Sequence, residues 1–248
     1  MLDQAAPRPL HDSLLVPLPR AGATALWPVP RLILWLYAGN LLLAASYTAN
    51  TLLGEPSYQL TQWLDLDGEQ NIPTWYSSMQ WFLAAALLGL FAQSFADLPP
   101  VRRWMLALLP LTFLAMSLDE VAGIHEWLGV KTDALLPDGD RTASVFSANG
   151  LWVLVIGVPF VALLGLLLYS LREFFRAAPA AFFTIMVGLG ITFVGALAFE
   201  MLLNFIPRYG RLETLSELCE EMLEMIGATT VIWGAYMLVS ARARTRRS

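Results

Sequence analysis

The chain has 248 residues, of which 57% are hydrophobic and only 14% are charged, and it contains nine tryptophans. Soluble domains average roughly 25% charged and roughly 45–50% apolar residues, so this composition excludes a single soluble core and indicates an all-α, polytopic membrane protein. The formal net charge is −5, and no basic patch with interleaved aromatic residues indicates a nucleic-acid partner. Because Cys219 is the only cysteine, an intramolecular disulfide is excluded.

The first 30 residues contain six prolines and show no helical period. This pattern predicts a flexible cytoplasmic arm over residues 1–30. The arm is too long and too rich in proline for the basic region of a signal peptide, so we expect the first apolar run to be retained as an anchor.

Six apolar runs follow, each long enough to cross about 30 Å of hydrocarbon as a helix. They lie near residues 32–53, 74–96, 104–128, 149–171, 180–206 and 215–240. We therefore expect a bundle of about six transmembrane helices, forming one domain over residues 31–240 and followed by a basic cytoplasmic tail over 241–248.

The positions of the basic residues predict the orientation of this bundle. Eleven of the 15 lie before the first run, between the second and third, between the fourth and fifth, or after the sixth. The other four lie in the opposite loops. The positive-inside rule then places both termini in the cytoplasm.

Acidic residues interrupt two of the apolar runs and lie near the end of another. The third run contains Asp119 and Glu120, the fifth ends near Glu200, and the sixth carries Glu221 and Glu224. By helix rise these five carboxyl groups lie roughly 10–16 Å below the outer boundary of the membrane. Carboxylates inside a bilayer are costly and usually face the bundle interior, so we expect them to form one functional site.

Up to eight acids approach this level, and no Lys or Arg lies inside any run to balance them; they are Asp119, Glu120, Glu126, Glu200, Glu217, Glu220, Glu221 and Glu224. Like charges at close range in a low dielectric cannot all stay ionised. Four means of neutralisation remain open: bound protons, a metal cation, Arg208 or Arg211 folding in from a loop, and a water-filled vestibule.

The ligand types favour hard or borderline metal ions. One histidine with many carboxylates suits iron, manganese, magnesium or calcium, and helical bundles with several carboxylates build dinuclear iron or manganese centres. The expected divalent-metal ligands are Glu120, Glu200, Glu221, Glu224 and His125, and the expected catalytic residues are Asp119 and His125. Glu120 and His125 lie about 140° apart on an ideal helix, so sharing one ion requires a distortion, which Gly123 would allow.

The other polar residues are not assigned a catalytic or metal-binding role. Polar and aromatic residues near the outer ends of the runs predict an interfacial aromatic belt with helix caps, or alternatively the mouth of a pocket; they are Tyr47, Asn50, Trp75, Tyr76, Ser77, Ser78, Gln80, Ser147 and Asn149. Glu213 and Glu217 are expected to act as helix N-terminal charges. Cys219 is expected to act as a small apolar residue.

Three motifs carry a resemblance to a family: Ser117-Leu118-Asp119-Glu120 with Ile124-His125-Glu126, the segment from Gly195 to Glu200, and Glu220-Glu221-Met222-Leu223-Glu224-Met225-x-Gly227. Together they make the chain similar, over roughly residues 74–236, to a family of uncharacterised bacterial multipass membrane proteins. The resemblance implies that the acids form one site and that the protein lies in a bacterial inner membrane. It implies no activity.

These observations favour a metal-dependent enzyme, an oxidoreductase or hydrolase, acting on a lipid or other membrane-soluble substrate. An alternative is a transporter that carries protons or cations through the acids. The inner halves of the runs offer few polar residues, which favours a dead-end site over a conduit. A third interpretation is an accessory subunit of a membrane complex, and whether the chain forms homo-oligomers or binds a partner stays open.

Overall fold

The computed structural model describes residues 29–136, 139, 144–146, 151–206 and 210–245. Regular structure in these residues is entirely helical, and no strand occurs among them. The predicted arm lies outside the described residues up to position 28, and so do residues 246–248 of the predicted tail. The rest of that tail is not separate, because it continues the last helix to Thr245.

Ten α-helices make up the described structure. They are α1 (Arg31–Leu52), α2 (Tyr58–Leu64), α3 (Ile72–Gln93), α4 (Pro100–Ala122), α5 (Ile124–Thr132), α6 (Val158–Ser170), α7 (Arg172–Phe175), α8 (Pro179–Phe193), α9 (Glu200–Leu203) and α10 (Arg211–Thr245). A short 3-10 turn, Asp133–Leu135, follows α5. Two π-helical segments, Val153–Gly157 and Val194–Phe199, precede α6 and α9.

Five helical stretches are long and apolar enough to cross a membrane, which confirms the all-helical membrane class. They are Arg31–Leu52, Pro100–Ala122, Val153–Ser170, Pro179–Leu203 and Arg211–Thr245. Helix α3 corresponds to the second predicted run and has 22 residues, but it is not among the five. The sixth crossing and the cytoplasmic position of both termini therefore stay predictions.

Local sequence sets several of the helix ends. The Asn71 side chain caps α3 by accepting a hydrogen bond from the Thr74 N–H at 3.1 Å, and Pro73 lies in the first turn, where it displaces no helical hydrogen bond. Gly123 ends α4 in the left-handed conformation, with φ of 55°, and its N–H donates to the Asp119 carbonyl at 2.8 Å. The third predicted run is therefore two helices, with the distortion at Gly123 that the sequence allowed.

Helix α10 lies at the centre of the bundle. It is the most deeply buried of the five candidate spans, and it packs against α8, α3 and α1. The contact with α8 is close because small residues face each other: a Cβ atom added at Gly188 would lie 2.7 Å from the Gly227 carbonyl oxygen. Small residues at helix interfaces are a common means of close packing in membranes, where no hydrophobic driving force brings helices together.

Apolar and aromatic side chains fill the half of the bundle toward the C-terminal ends of α3 and α10. Phe175 stacks between Phe91 and Phe182, with ring centroids 6.0 and 4.9 Å away. Arg242 holds the C-terminal part of α10 to the end of α3, since its guanidinium lies 4.1 Å from the Phe95 ring centroid and donates to the Ser94 carbonyl at 3.2 Å. The predicted acidic residues lie toward the opposite end of the bundle.

Candidate functional site

The turn at Gly123 brings Asp119 and His125 into direct contact. The Asp119 Oδ1 atom accepts a hydrogen bond from the His125 backbone N–H at 2.8 Å, and Oδ2 lies 2.9 Å from the ring Nδ1. Both side chains are about one-third exposed. When Nδ1 carries the proton it donates to Asp119, and Nε2 is then left with a free lone pair.

The Glu120 side chain lies on a different face of α4 from Asp119 and contacts α3. The indole Nε1–H of Trp81 donates to Glu120 Oε1 at 3.2 Å, and the Ser77 hydroxyl also bonds this carboxylate. Trp81 is almost fully buried, so the indole holds the carboxylate against the bundle core. A neutral donor of this kind stabilises a carboxylate without neutralising its charge.

Glu200 is positioned by the two π-helical segments. Trp152, directly before the first segment, donates through its indole Nε1–H to Glu200 Oε1 at 2.9 Å, and Glu200 directly follows the second segment. The segments also touch, because Gly157 lies against Leu197. Single-turn π-segments inside helices occur often at functional sites, where the extra residue re-aims a side chain.

The acids of α10 lie near those of the other helices. Glu220 is buried and shares a hydrogen bond with Glu200. Glu221 and Glu224 are partly exposed, and both interact electrostatically with Glu120. His125 is also within electrostatic range of Glu224 and Glu120. Acids from α4, α9 and α10 therefore approach one another in the folded chain.

The predicted ligands are not assembled as a metal centre. Among the residues that the structure describes, no group of three or more His, Cys, Asp or Glu side chains is arranged to hold a metal ion. Nor do Glu120 and His125 pair with each other: the turn at Gly123 directs His125 to Asp119, while Glu120 bonds Trp81 and Ser77.

The remaining predicted residues lie at the edge of this region. Glu217 accepts a hydrogen bond from the Tyr47 hydroxyl at 3.2 Å, so it has a side-chain partner in addition to its place near the helix N-terminus. Glu126 is exposed, and Cys219 is free and half-buried. Arg208, Ser147 and Asn149 lie outside the described residues.

An acidic loop between α2 and α3 was not anticipated as part of the site. It contains Asp65, Asp67 and Glu69. Desolvation of the carboxyl, followed by the charges of Asp65 and Glu200, raises the pKa of Asp67 to about 6. The loop thus adds an acidic group within electrostatic range of Glu200.

The structure also contains a buried polar network that the sequence interpretation missed. The Gln80 Nε2 atom donates to Asn40 Oδ1 at 2.8 Å and to Thr229 Oγ1 at 2.9 Å. Asn40 and Gln80 are fully buried, as is Thr229, so Gln80 is not an interfacial cap. Ser77 is buried as well, whereas Trp75 is largely exposed as an interfacial residue would be. The available signal was Asn40 itself, an amide well inside an uncharged apolar run.

Comparison with known proteins adds the family of the chain. No curated protein and no solved structure matches it significantly. One family model matches residues 32–240, which is most of the sequence and all of the candidate site. The chain therefore belongs to the family described as Domain of unknown function (DUF8692).

Proposed function

We propose that this membrane protein is an enzyme that acts on a lipid or other membrane-soluble substrate, with Asp119 and His125 as its catalytic pair. The observation that carries the proposal is the double hydrogen bond between these two residues. A carboxylate that fixes a histidine ring through Nδ1 is a recurring arrangement, because it orients Nε2 to accept a proton or to bind a metal ion. His125 also lies near Glu120 and Glu224, so proton transfer and ligand binding would occur in the same region.

The proposal includes a divalent cation, with iron or manganese suited to the ligand types. Glu120, Glu200, Glu221 and Glu224 would supply the carboxylate oxygens, and His125 would supply Nε2. Support comes from the partial exposure of Glu221 and Glu224 and from their interaction with Glu120. A bound cation would supply Lewis-acid or redox chemistry next to the catalytic pair.

Elemental analysis by mass spectrometry tests the cation directly. Protein purified in detergent without chelator is compared with a Glu221→Gln and Glu224→Gln double variant, which keeps the side-chain shape but removes two anionic ligands. The matched control is the variant Asp97→Asn, which changes an exposed acid elsewhere in the chain. We expect stoichiometric metal in the wild type and in Asp97→Asn, and less than a tenth of it in the double variant.

Equal metal content in all three proteins would show that Glu221 and Glu224 are not ligands. Absence of metal from folded wild-type protein, even after incubation with iron or manganese, would remove the cation from the proposal. The catalytic pair would then be tested alone, by comparing His125→Gln with the wild type for conversion of a labelled membrane-lipid extract.

A further inference from the structure

One end of the bundle carries an excess of positive charge. This end, which we call the basic end, is formed by the C-terminal ends of α3 and α10, the connection from α3 to the start of α4, and α7. Among the described residues, six arginines and two acids lie there; they are Arg102, Arg103, Arg172, Arg176, Arg242 and Arg244, with Asp97 and Glu173. The acids of the candidate site lie toward the opposite end, so the two ends of the molecule carry opposite charges.

A series of side-chain contacts joins the segments of the basic end. The Arg242 guanidinium of α10 lies over the Phe95 ring at the end of α3. Phe95 in turn meets Phe174 of α7 edge to face, with the ring centroids 5.1 Å apart. Next along α7, the Glu173 Oε2 atom lies 3.9 Å from Arg102 Nη1 of α4. The four helices are therefore held side by side here, and their arginines share one surface.

Three of these arginines lie close to Glu173. Arg172 directly precedes it, Arg176 follows it by about one helical turn, and Arg102 approaches it from α4. The 3.9 Å separation from Arg102 exceeds the roughly 2.7–2.9 Å of a charge-assisted hydrogen bond. Both side chains are about half exposed. One loosely held carboxylate thus faces three guanidinium groups, and the local charge stays positive.

The same three arginines lie at the ends of candidate membrane spans. Arg102 is in the first turn of α4, Arg172 follows the end of α6 by two residues, and Arg176 precedes α8 by three. All three helices belong to stretches that are long and apolar enough to cross a membrane. The ends of such stretches meet the headgroup region of the bilayer. Guanidinium groups at this level are in reach of lipid phosphates.

Exposed apolar side chains begin directly beyond these arginines. Trp104 and Leu108 are exposed on α4, and Leu166 is exposed on α6. Tyr169, also exposed, packs against the Arg172 guanidinium, which lies 4.1 Å from its ring centroid. A lipid whose phosphate is bound by the arginines would therefore lay its acyl chains on an apolar surface.

We infer that the basic end binds an anionic phospholipid, whose phosphate lies between Arg102 and Arg176. Arginine suits this ligand because its planar guanidinium can donate two parallel hydrogen bonds to a phosphate, and basic pockets between membrane helices bind lipid headgroups in this way. The positive local charge favours a negatively charged headgroup, such as phosphatidylglycerol, over zwitterionic phosphatidylcholine. Binding would hold the start of α4 to α7. The inference does not depend on the proposed enzyme, whose residues lie at the opposite end.

Lipid titration followed by native mass spectrometry tests the inference. Protein in detergent is titrated with dioleoyl-phosphatidylglycerol or dioleoyl-phosphatidylcholine, which share their acyl chains and differ in headgroup charge. We expect the wild type to bind phosphatidylglycerol about tenfold more tightly, and the double variant Arg102→Gln and Arg176→Gln to lose that preference. Equal affinity of the wild type for both lipids would overturn the inference, and so would wild-type affinity in the double variant.

Two controls separate a binding site from a general attraction between an acidic lipid and a basic surface. Lys131→Gln with Arg211→Gln removes two charges at the opposite end and should bind phosphatidylglycerol as the wild type does. Arg244→Gln removes one exposed charge from the basic end and should weaken binding by about twofold or less, whereas Arg176→Gln alone should weaken it about fivefold. Equal losses in these two single variants would overturn the site, even if the double variant failed to fold.

Discussion

Asp119 uses both carboxylate oxygens to hold one residue, His125. Asp119→Ala would leave the His125 backbone N–H and ring nitrogen without this acceptor, and we expect a loss of about 1–2 kcal/mol in the free energy of unfolding. Thermal unfolding in detergent, followed by tryptophan fluorescence, measures it. Glu126→Ala changes an exposed acid on the same turn and should stay within about 0.5 kcal/mol of the wild type. Equal losses in both variants would contradict a specific role for Asp119.

Asp67 should make stability depend on pH. Desolvation and neighbouring acids raise its pKa to about 6 in the folded chain, from 3.8, so the folded protein binds this proton more tightly than the unfolded chain does. Its stabilising effect is therefore complete below about pH 4 and is lost as the pH rises through 6. Because part of Asp67 still contacts solvent, screening keeps the effect small.

Melting temperatures of wild type and Asp67→Asn between pH 4 and 7 isolate this effect. We expect the wild type to lose stability relative to the variant as the pH rises across that interval. Gln62→Ala, an exposed change on α2, is the control and should follow the wild-type curve. Parallel curves for wild type and Asp67→Asn would show that the carboxyl does not titrate in this range.

At the scale of elements, the contact between α8 and α10 depends on small residues. A methyl group at Gly188 would lie 2.7 Å from two backbone atoms, the Gly227 oxygen and the Val231 nitrogen, so the helices would have to separate. We expect Gly188→Ala to cost about 1–3 kcal/mol. Gly190→Ala, in the same helix but with open space around it, should be neutral or stabilise by about 0.5–1 kcal/mol. Thermal unfolding of both variants would reveal the opposite signs.

The long helices were predictable and the short elements were not. Apolar runs of more than 20 residues leave few alternatives to a spanning helix. Both ends of α1 agree with the first predicted run to within a residue, and α8 begins within a residue of the fifth run. Helix α2 and the two π-segments are too short to show a distinct period. A distortion at Gly123 in the third run was allowed by the sequence but not required by it, because a single glycine in an apolar stretch marks a break in some helices and not in others.

For the candidate site, the sequence predicted a common level of the acids and could not predict their hydrogen-bond partners. Helix rise predicted that the acids of three runs share one level, since that follows from counting residues along each helix. The partners of those acids depend on how separate helices pack. Trp81 contributes an indole donor from α3, and Trp152 contributes one from directly before the first π-segment. His125 contacts Asp119 because of the φ angle at Gly123. No spacing within one run encodes such contacts.

At the scale of the whole molecule, the number of crossings depends on α3. This helix packs between α4 and α10, both of which are long and apolar enough to span a membrane. A helix in that position has its Gln80 and Trp81 side chains buried at the centre of the bundle, so we expect it to cross as well. The segments on its two sides would then lie on opposite faces of the membrane.

Single-cysteine labelling tests this arrangement. In a Cys219→Ser background, Gln62→Cys and Asp97→Cys place exposed thiols before and after α3. Because arginines follow Asp97 and acids follow Gln62 along the chain, the positive-inside rule predicts that Gln62→Cys lies outside. A membrane-impermeant maleimide should therefore label Gln62→Cys in intact cells, and Asp97→Cys only after permeabilisation. Labelling of both thiols in intact cells, or of neither, would mean that α3 does not cross and that the two termini lie on opposite sides.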